Sequence, residues 1–165
     1  PYYIRPVRGP ISEISNILSP SGLEGESPES CALDYTESDE TIIDNCTDLM
    51  WVKGGTETLI GSESNYPLSP RPKTISWENA VKFCNELNLA GYNDWRLPNI
   101  LELIITVSKN YRIFPWESGY SGYYWSSSSV NNEAWFMGNG FNFGKIQLSS
   151  KNNTFYIQCL RNAID

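Results

Sequence analysis

Histidine is absent from this 165-residue chain, and methionine occurs only twice. Without imidazole, the usual general base near neutral pH and the commonest metal ligand are both missing. Acid–base candidates therefore reduce to carboxylates and tyrosines. Cations are also few: 12 Lys and Arg stand against 19 Asp and Glu, a net charge of −7. That balance argues against nucleic acid as a partner, because binding a polyanion rests on neutralising its phosphates. A local basic patch around Arg71 and Lys73 would be small. No apolar run reaches the ~20 residues of a spanning helix, so membrane insertion is not expected. The chain opens on Pro1, with neither an initiator Met nor a signal-peptide pattern. It is expected to be the mature or excised portion of a longer exported protein. The four cysteines, Cys31, Cys46, Cys84 and Cys159, show no CxxC spacing, and their even count reads as disulfides rather than zinc. Of three possible pairings, Cys31–Cys46 with Cys84–Cys159 is preferred, the second pinning the main helix to the C-terminal strand. Four reduced, buried thiols are the alternative.

What the chain does have is aromatics and chain-bending residues. Six Trp, ten Tyr and six Phe make 13% of the residues, beside 12 Gly and 10 Pro. This composition fits a loop-rich, aromatic-packed module, and the length suffices for one domain with a real core.

The stretch Ser76–Leu103 organises the rest. Ser76 is a good N-cap, and Trp77, Ala80, Val81, Cys84 and Leu87 recur at helical spacing behind it. Gly91 stands where a left-handed C-cap would end that helix. A second helix is predicted from Asn99, with Glu102 completing a partial capping box and Leu101, Ile104 and Ile105 as its apolar face. Between the helices, Asp94 and Arg96 are two residues apart and would share one side of an extended segment, while Pro98 separates the helices. Asp94, Trp95 and Arg96 read as a structural corner. Asp94 would accept backbone or indole N–H bonds, and Arg96 would tie the loop to a distant element, because buried charges usually persist by being paired. An acid and a cation poised for chemistry is the competing reading.

Elsewhere the pattern is coarser. Residues 1–9 echo residues 154–162, with Tyr3/Tyr156, Ile4/Ile157 and Arg8/Arg161 identical, so 1–9 is expected to be the terminal strand of a preceding repeat. Residues 10–30 read as linker and 31–165 as the domain. Leu49 and Trp51 would share one face of a strand, Gly54–Ser76 would be a polar loop, and short strands are expected at Tyr123–Ser129, Ala134–Gly138, Phe141–Leu148 and Phe155–Arg161. Two helices followed by an antiparallel meander make the fold α+β, loop-rich and disulfide-bonded.

The segments DNCTDLMW, WENAVKFCNELNLAGYNDWRLPNILEL, YYWSSSS, AWFM and FYIQCLR, in this order over Asp44 to Asn162, resemble the Lcl C-terminal domain family, the module ending a collagen-like bacterial adhesin. AGYNDWRLPN carries most of the specificity. Asp48 stands where the family usually has glycine. The resemblance implies a C-type-lectin-like fold related to formylglycine-generating enzymes, with a helix bridged to the last strand, which agrees with pairing Cys84 and Cys159. It also implies an extracellular or cell-surface setting in bacteria, a homotrimer, and sulfated glycosaminoglycan ligands. The net charge of −7 does not support carrying that last ligand over.

The expected function is therefore an extracellular, non-catalytic binding module that adheres to a glycan or protein. Trp116, Tyr120 and Tyr123 would stack on sugar rings, and Asn131, Asn132, Asn139 and Asn142 would bond hydroxyls. Trp125 and Trp135, inside predicted strands, are expected in the core. A spacer in a tandem array, or a diverged formylglycine-generating-like enzyme, are the alternatives. The enzyme needs a reactive cysteine, and all four can be assigned to bridges. No cofactor is expected, although Asp34, Glu37, Asp39, Glu40, Asp44 and Asp48 offer oxygen ligands for calcium without EF-hand spacing.

Overall fold

The computed structural model describes residues 34–63, 71–109, 122–138 and 144–164. The chain divides into two units, and every described residue belongs to the second, Leu33–Asp165. The expected repeat strand 1–9, the linker 10–30 and Cys31 lie outside the described residues.

Strands β1 (Tyr35–Glu37), β2 (Thr41–Asp44), β3 (Leu49–Val52) and β11 (Leu160–Asn162) form an antiparallel sheet in the order β1-β2-β3-β11. A second sheet is the meander β7 (Tyr123–Val130), β8 (Glu133–Gly138) and β9 (Ile146–Ser150). Two ribbons link the elements, β4 (Ser62–Glu63) with β5 (Arg71–Pro72), and β6 (Ile75–Ser76) with β10 (Thr154–Phe155). Helices α1 (Gly55–Ile60), α2 (Trp77–Glu86) and α3 (Ile100–Lys109) complete an α+β fold made mostly of strands. The segment read as one polar loop, Gly54–Ser76, thus holds a short helix and three short strands. The last strand is also divided, because residues 156–159 cross from the β6–β10 ribbon to the sheet that holds β11.

Two apolar clusters explain why these strands are hydrophobic on both sides. Met50, Val52, Trp125, Phe136 and Cys159 pack in one, with Ala80 and Cys84 of α2. Trp51, Tyr124, Met137 and Leu160 pack in the other, with Leu103 of α3. Neighbours along β3, β7 and β8 thus enter different clusters, as alternating side chains must when both faces are covered. Leu49 and Trp51 do share a cluster, but Met50 and Val52 are buried as well. Trp135 is only partly buried, opposite Leu148 of β9.

The helix ends differ from the sequence expectation in informative ways. Ser76 is the N-cap residue of α2, yet its side chain makes no capping bond, and the Trp77 N–H donates to the Lys151 carbonyl at 3.1 Å. The helix stops at Glu86 because Leu87 is already extended, with φ −68° and ψ 128°. Gly91 is therefore not its C-cap. Leu89 and Tyr92 exchange backbone hydrogen bonds of 3.1 and 3.0 Å around Ala90 (φ 54°) and Gly91 (φ 83°). Two successive left-handed residues give the tight two-residue hairpin turn for which glycine is favoured. No atom lies within 4 Å of a Cβ built on Gly91, so only the backbone resists substitution. Gly91→Ala is expected to cost about 1 kcal/mol, read as a lower urea midpoint with unchanged slope. Asp48, at φ 53°, is also left-handed, which accounts for glycine being usual there; aspartate tolerates that region better than most residues.

The face of α3 also needs correction. Leu103 is fully buried with Ile100 and Ile104 packed beside it, whereas Leu101 is 66% and Ile105 42% exposed. The sequence ILELIITV is apolar nearly all round, so its periodicity does not fix which side faces inward.

Candidate functional site

The corner between α2 and α3 is built from the chain's most distinctive residues. Trp95 is buried and donates its indole N–H to the Leu89 carbonyl at 3.3 Å. The Arg96 backbone exchanges hydrogen bonds of 2.8 and 2.9 Å with Leu160, which adds this segment to the edge of β11. The Arg96 guanidinium forks onto Glu102 with bonds of 2.8 and 2.7 Å. The same carboxylate accepts the Asn99 N–H at 2.7 Å, and Asn99 Oδ1 accepts the Glu102 N–H at 3.0 Å. This is a complete reciprocal capping box, with an arginine added to its acid.

The side chain that reaches a distant element is therefore Asp94, not Arg96. Asp94 Oδ1 accepts the Arg161 Nε–H at 2.7 Å, across 67 positions of sequence. Arg161 is buried and its guanidinium lies 3.9 Å from the centre of the Tyr92 ring, a cation–π contact. The hydrogen bond from Arg161 holds the Asp94 carboxyl below the ordinary aspartate range, against a smaller opposing push from burial. An acid held in this state is a weak base, and its geometry is that of a tie. Because the folded-state pKa is the lower one, the tie stabilises the fold above the unfolded pKa and is lost as pH falls through the folded value. Wild-type protein is expected to lose stability below about pH 4, and Asp94→Asn to flatten that limb of the profile. Thermal melts between pH 2 and 7 check this.

A second hub is the serine run. Between Trp125 and Ser129 the β7–β8 register shifts, which frees Ser126–Ser128 to bond elsewhere. The Ser126 carbonyl accepts the Trp77 indole N–H at 2.7 Å, the Ser127 N–H donates to the Pro98 carbonyl at 2.7 Å, and Ser128 Oγ accepts the Ile100 N–H at 3.1 Å. Both long helices are thus docked on one irregular strand. Trp125 itself is fully buried and donates its indole N–H to the Ile75 carbonyl at 2.9 Å. Cys84 of α2 and Cys159 beside β11 are bonded, with Cα atoms 5.6 Å apart. Cys46 is likewise in a disulfide.

The residues read as ligand-binding separate into two places. Trp116, Tyr120, Asn139 and Asn142 lie outside the described residues. Tyr123 pairs with Gly138 at one end of the β7–β8 hairpin, while Asn131 and Asn132 form its turn at the other, seven residues or about 23 Å along the strand. Tyr123 packs edge-on against Phe136 and Phe155, and Lys145 Nζ lies 3.3 Å from its hydroxyl. Asn131 and Asn132 are exposed, and their carbonyls accept Lys151 Nζ at 2.9 Å and the Lys151 N–H at 3.1 Å. The sequence reading missed this meeting of two turns with Trp77, whose ring centre lies 4.1 Å from Lys151 Nζ. Nothing local signals a contact between positions 77, 131 and 151.

The acidic segment is dispersed. Asp34 accepts from the Asn45 side chain at 2.9 Å, Glu37 pairs with Lys53 at 3.3 Å, and buried Asp44 accepts the Cys46 N–H at 3.0 Å. Among the described residues no three His, Cys, Asp or Glu side chains gather as a metal site.

These features define a small α+β module, closed by a helix-to-strand disulfide and organised around a DWRLP corner. The family model for the Lcl C-terminal domain matches residues 40–161, and the chain belongs to that family. No curated protein matches the sequence. No helix among the described residues is long and apolar enough to cross a membrane.

Proposed function

We propose that this chain is a non-catalytic binding module of an exported bacterial surface protein, with a C-type-lectin-like frame, which adheres to a glycan or protein ligand. The observation that carries this reading is family membership over residues 40–161. The chemistry of the corner agrees with it. Asp94 is bonded to Arg161 and Arg96 to Glu102, so the acid and the cation of the corner serve as ties. The residues we assign to ligand binding are Tyr123, at one end of the meander, and Trp116, Tyr120, Asn139 and Asn142, which lie outside the described residues.

Beads coated with the oxidised domain test this against surfaces bearing glycoproteins. Retention is expected, with a loss of at least about tenfold in half-maximal coating density for Trp116→Ala or Tyr120→Ala, the scale of one hot-spot aromatic. Retention that neither variant alters would contradict the assigned surface. Absence of retention on every surface would contradict adhesion.

A further inference from the structure

The outer side of β9 is an open sheet edge. At its two ends the Gly138 N–H donates to the Lys145 carbonyl at 2.8 Å and the Lys151 N–H to the Asn132 carbonyl at 3.1 Å. These pairs fix the phase of the β8–β9 ladder, so Gln147 and Ser149 turn their backbone groups toward β8. Ile146 and Leu148 therefore aim both N–H and C=O away from β8, and Ser150 does so with its N–H. The Ser150 carbonyl is taken by the Asn153 N–H at 3.0 Å. Among the described residues no strand pairs with this side of β9. We propose that this edge docks an extended, acidic peptide segment of a partner protein, which adds to the meander as one more strand. The inference rests on the binding-module reading above and gives the module's protein partner a chemistry.

Three observations carry it. First, a row of outward amides and carbonyls recognises extended backbone, whose own N–H and C=O groups complete the ladder. All five residues of β9 are held in register by β8, so the edge is formed before a partner arrives. On one face Ile146 and Leu148, both partly buried, offer apolar contact to alternate residues of an added strand. Second, both ends of the strand are cationic. Lys145 and Lys151 are six positions apart, which places them on one face about 20 Å from each other. Lys53, Lys82, Arg96 and Arg161 each pair with a carboxylate. Lys145 and Lys151 instead meet neutral oxygens, the Tyr123 hydroxyl at 3.3 Å and the Asn131 carbonyl at 2.9 Å. Acids six positions apart on an added strand lie opposite these lysines, and opposite charges across a strand pair are favourable. Third, the same lysines disfavour a second copy of β9 as the occupant. A two-fold pairing that sets Leu148 opposite Leu148 also sets Lys145 opposite Lys151, like charge against like.

The experiment is an NMR titration of the oxidised chain with the capped heptapeptide Glu-Thr-Thr-Val-Thr-Val-Glu, and separately with the same peptide ending in Lys at both positions. Antiparallel to β9, the first sets its acids opposite Lys151 and Lys145 and its valines opposite Leu148 and Ile146. Saturable shifts are expected at the Ile146, Leu148 and Ser150 amides, with slower exchange of their protons with solvent. The Gln147 and Ser149 amides, already bonded to β8, should keep the protection they have. The Lys-ended peptide is expected to bind at least about tenfold more weakly. Lys145→Glu changes an exposed side chain and should weaken the acidic peptide roughly five- to tenfold, with an unchanged melting temperature. Leu148→Pro removes an outward N–H and no bond to β8, and should abolish binding; if it fails to fold, Lys145→Glu still decides. Equal affinity for the two peptides, or shifts only away from β9, would overturn the proposal. Protection of these amides that rises with protein concentration, without peptide, would assign the edge to a second copy and overturn it too. No binding of the acidic peptide, in a domain whose beads are retained on glycoprotein, would overturn the docking edge and leave the module reading intact. Saturable binding in a domain that adheres to nothing would sustain the edge and overturn the adhesion reading.

Discussion

Replacing both Cys84 and Cys159 with alanine is expected to lower the unfolding free energy by about 4 kcal/mol. The bond closes a loop of sequence separation 75, and cross-linking so long a segment removes much of the freedom of the unfolded chain. Both residues are fully buried, so alanine also leaves a small void between α2 and the crossing segment before β11. A domain of this size has about 5–15 kcal/mol in hand, which makes the loss a large share of the total. Urea titration of the double variant beside wild type measures it. A loss under about 1 kcal/mol would mean that the bond is strained, or that the reduced chain keeps residual structure.

The second large effect is expected at Trp125. Trp125→Ala should cost about 3–5 kcal/mol, because the ring is fully buried and packs 4.4 Å, centre to centre, from Phe155. The substitution also strands the Ile75 carbonyl that the indole N–H now satisfies, and with it the β6–β10 ribbon leading into α2. Trp125→Phe separates these contributions. Phenylalanine keeps most of the packing and lacks the N–H, so its cost should fall to roughly 1–3 kcal/mol. Equal losses for the two variants would locate the whole effect in the hydrogen bond.

What could be read from sequence was what is encoded locally. The Asn99–Glu102 capping box spans three positions, and both partners are visible in one glance at the chain. The start of α2 and its buried Ala80 and Cys84 follow from spacing alone. The phase of α3 was not legible, because Leu101, Leu103, Ile104 and Ile105 offer an apolar side in almost every direction. What faces inward was decided by Trp51, Tyr124 and Met137, which α3 meets only after folding. The partner of Asp94 lay 67 residues away, and Arg96, much nearer in sequence, was the obvious but wrong choice for the long-range tie. The serine run looked like a polar strand. Its role depends on a register shift that lets Ser126, Ser127 and Ser128 meet Trp77, Pro98 and Ile100. The candidate site suffered most, since Tyr123 begins β7 while Asn131 lies in the turn beyond its other end.

Side-chain burial also separates residues that matter for folding from those available for binding. Trp95 and Trp125 are inside the protein, and Arg161 is covered by Tyr92. Substitutions there would reduce binding only through stability. Tests of recognition belong instead at the proposed contacts Trp116 and Tyr120, paired with a melting curve for each variant.

The most direct test of the central claim, that this module binds rather than catalyses, is a glycan-array screen of the oxidised domain, with and without calcium. The account predicts reproducible binding to a restricted set of glycans, with unchanged ligand after prolonged contact. Silence across the array would contradict glycan recognition and leave protein adhesion or a spacer role, and conversion of a bound glycan into a new product would contradict the non-catalytic reading itself.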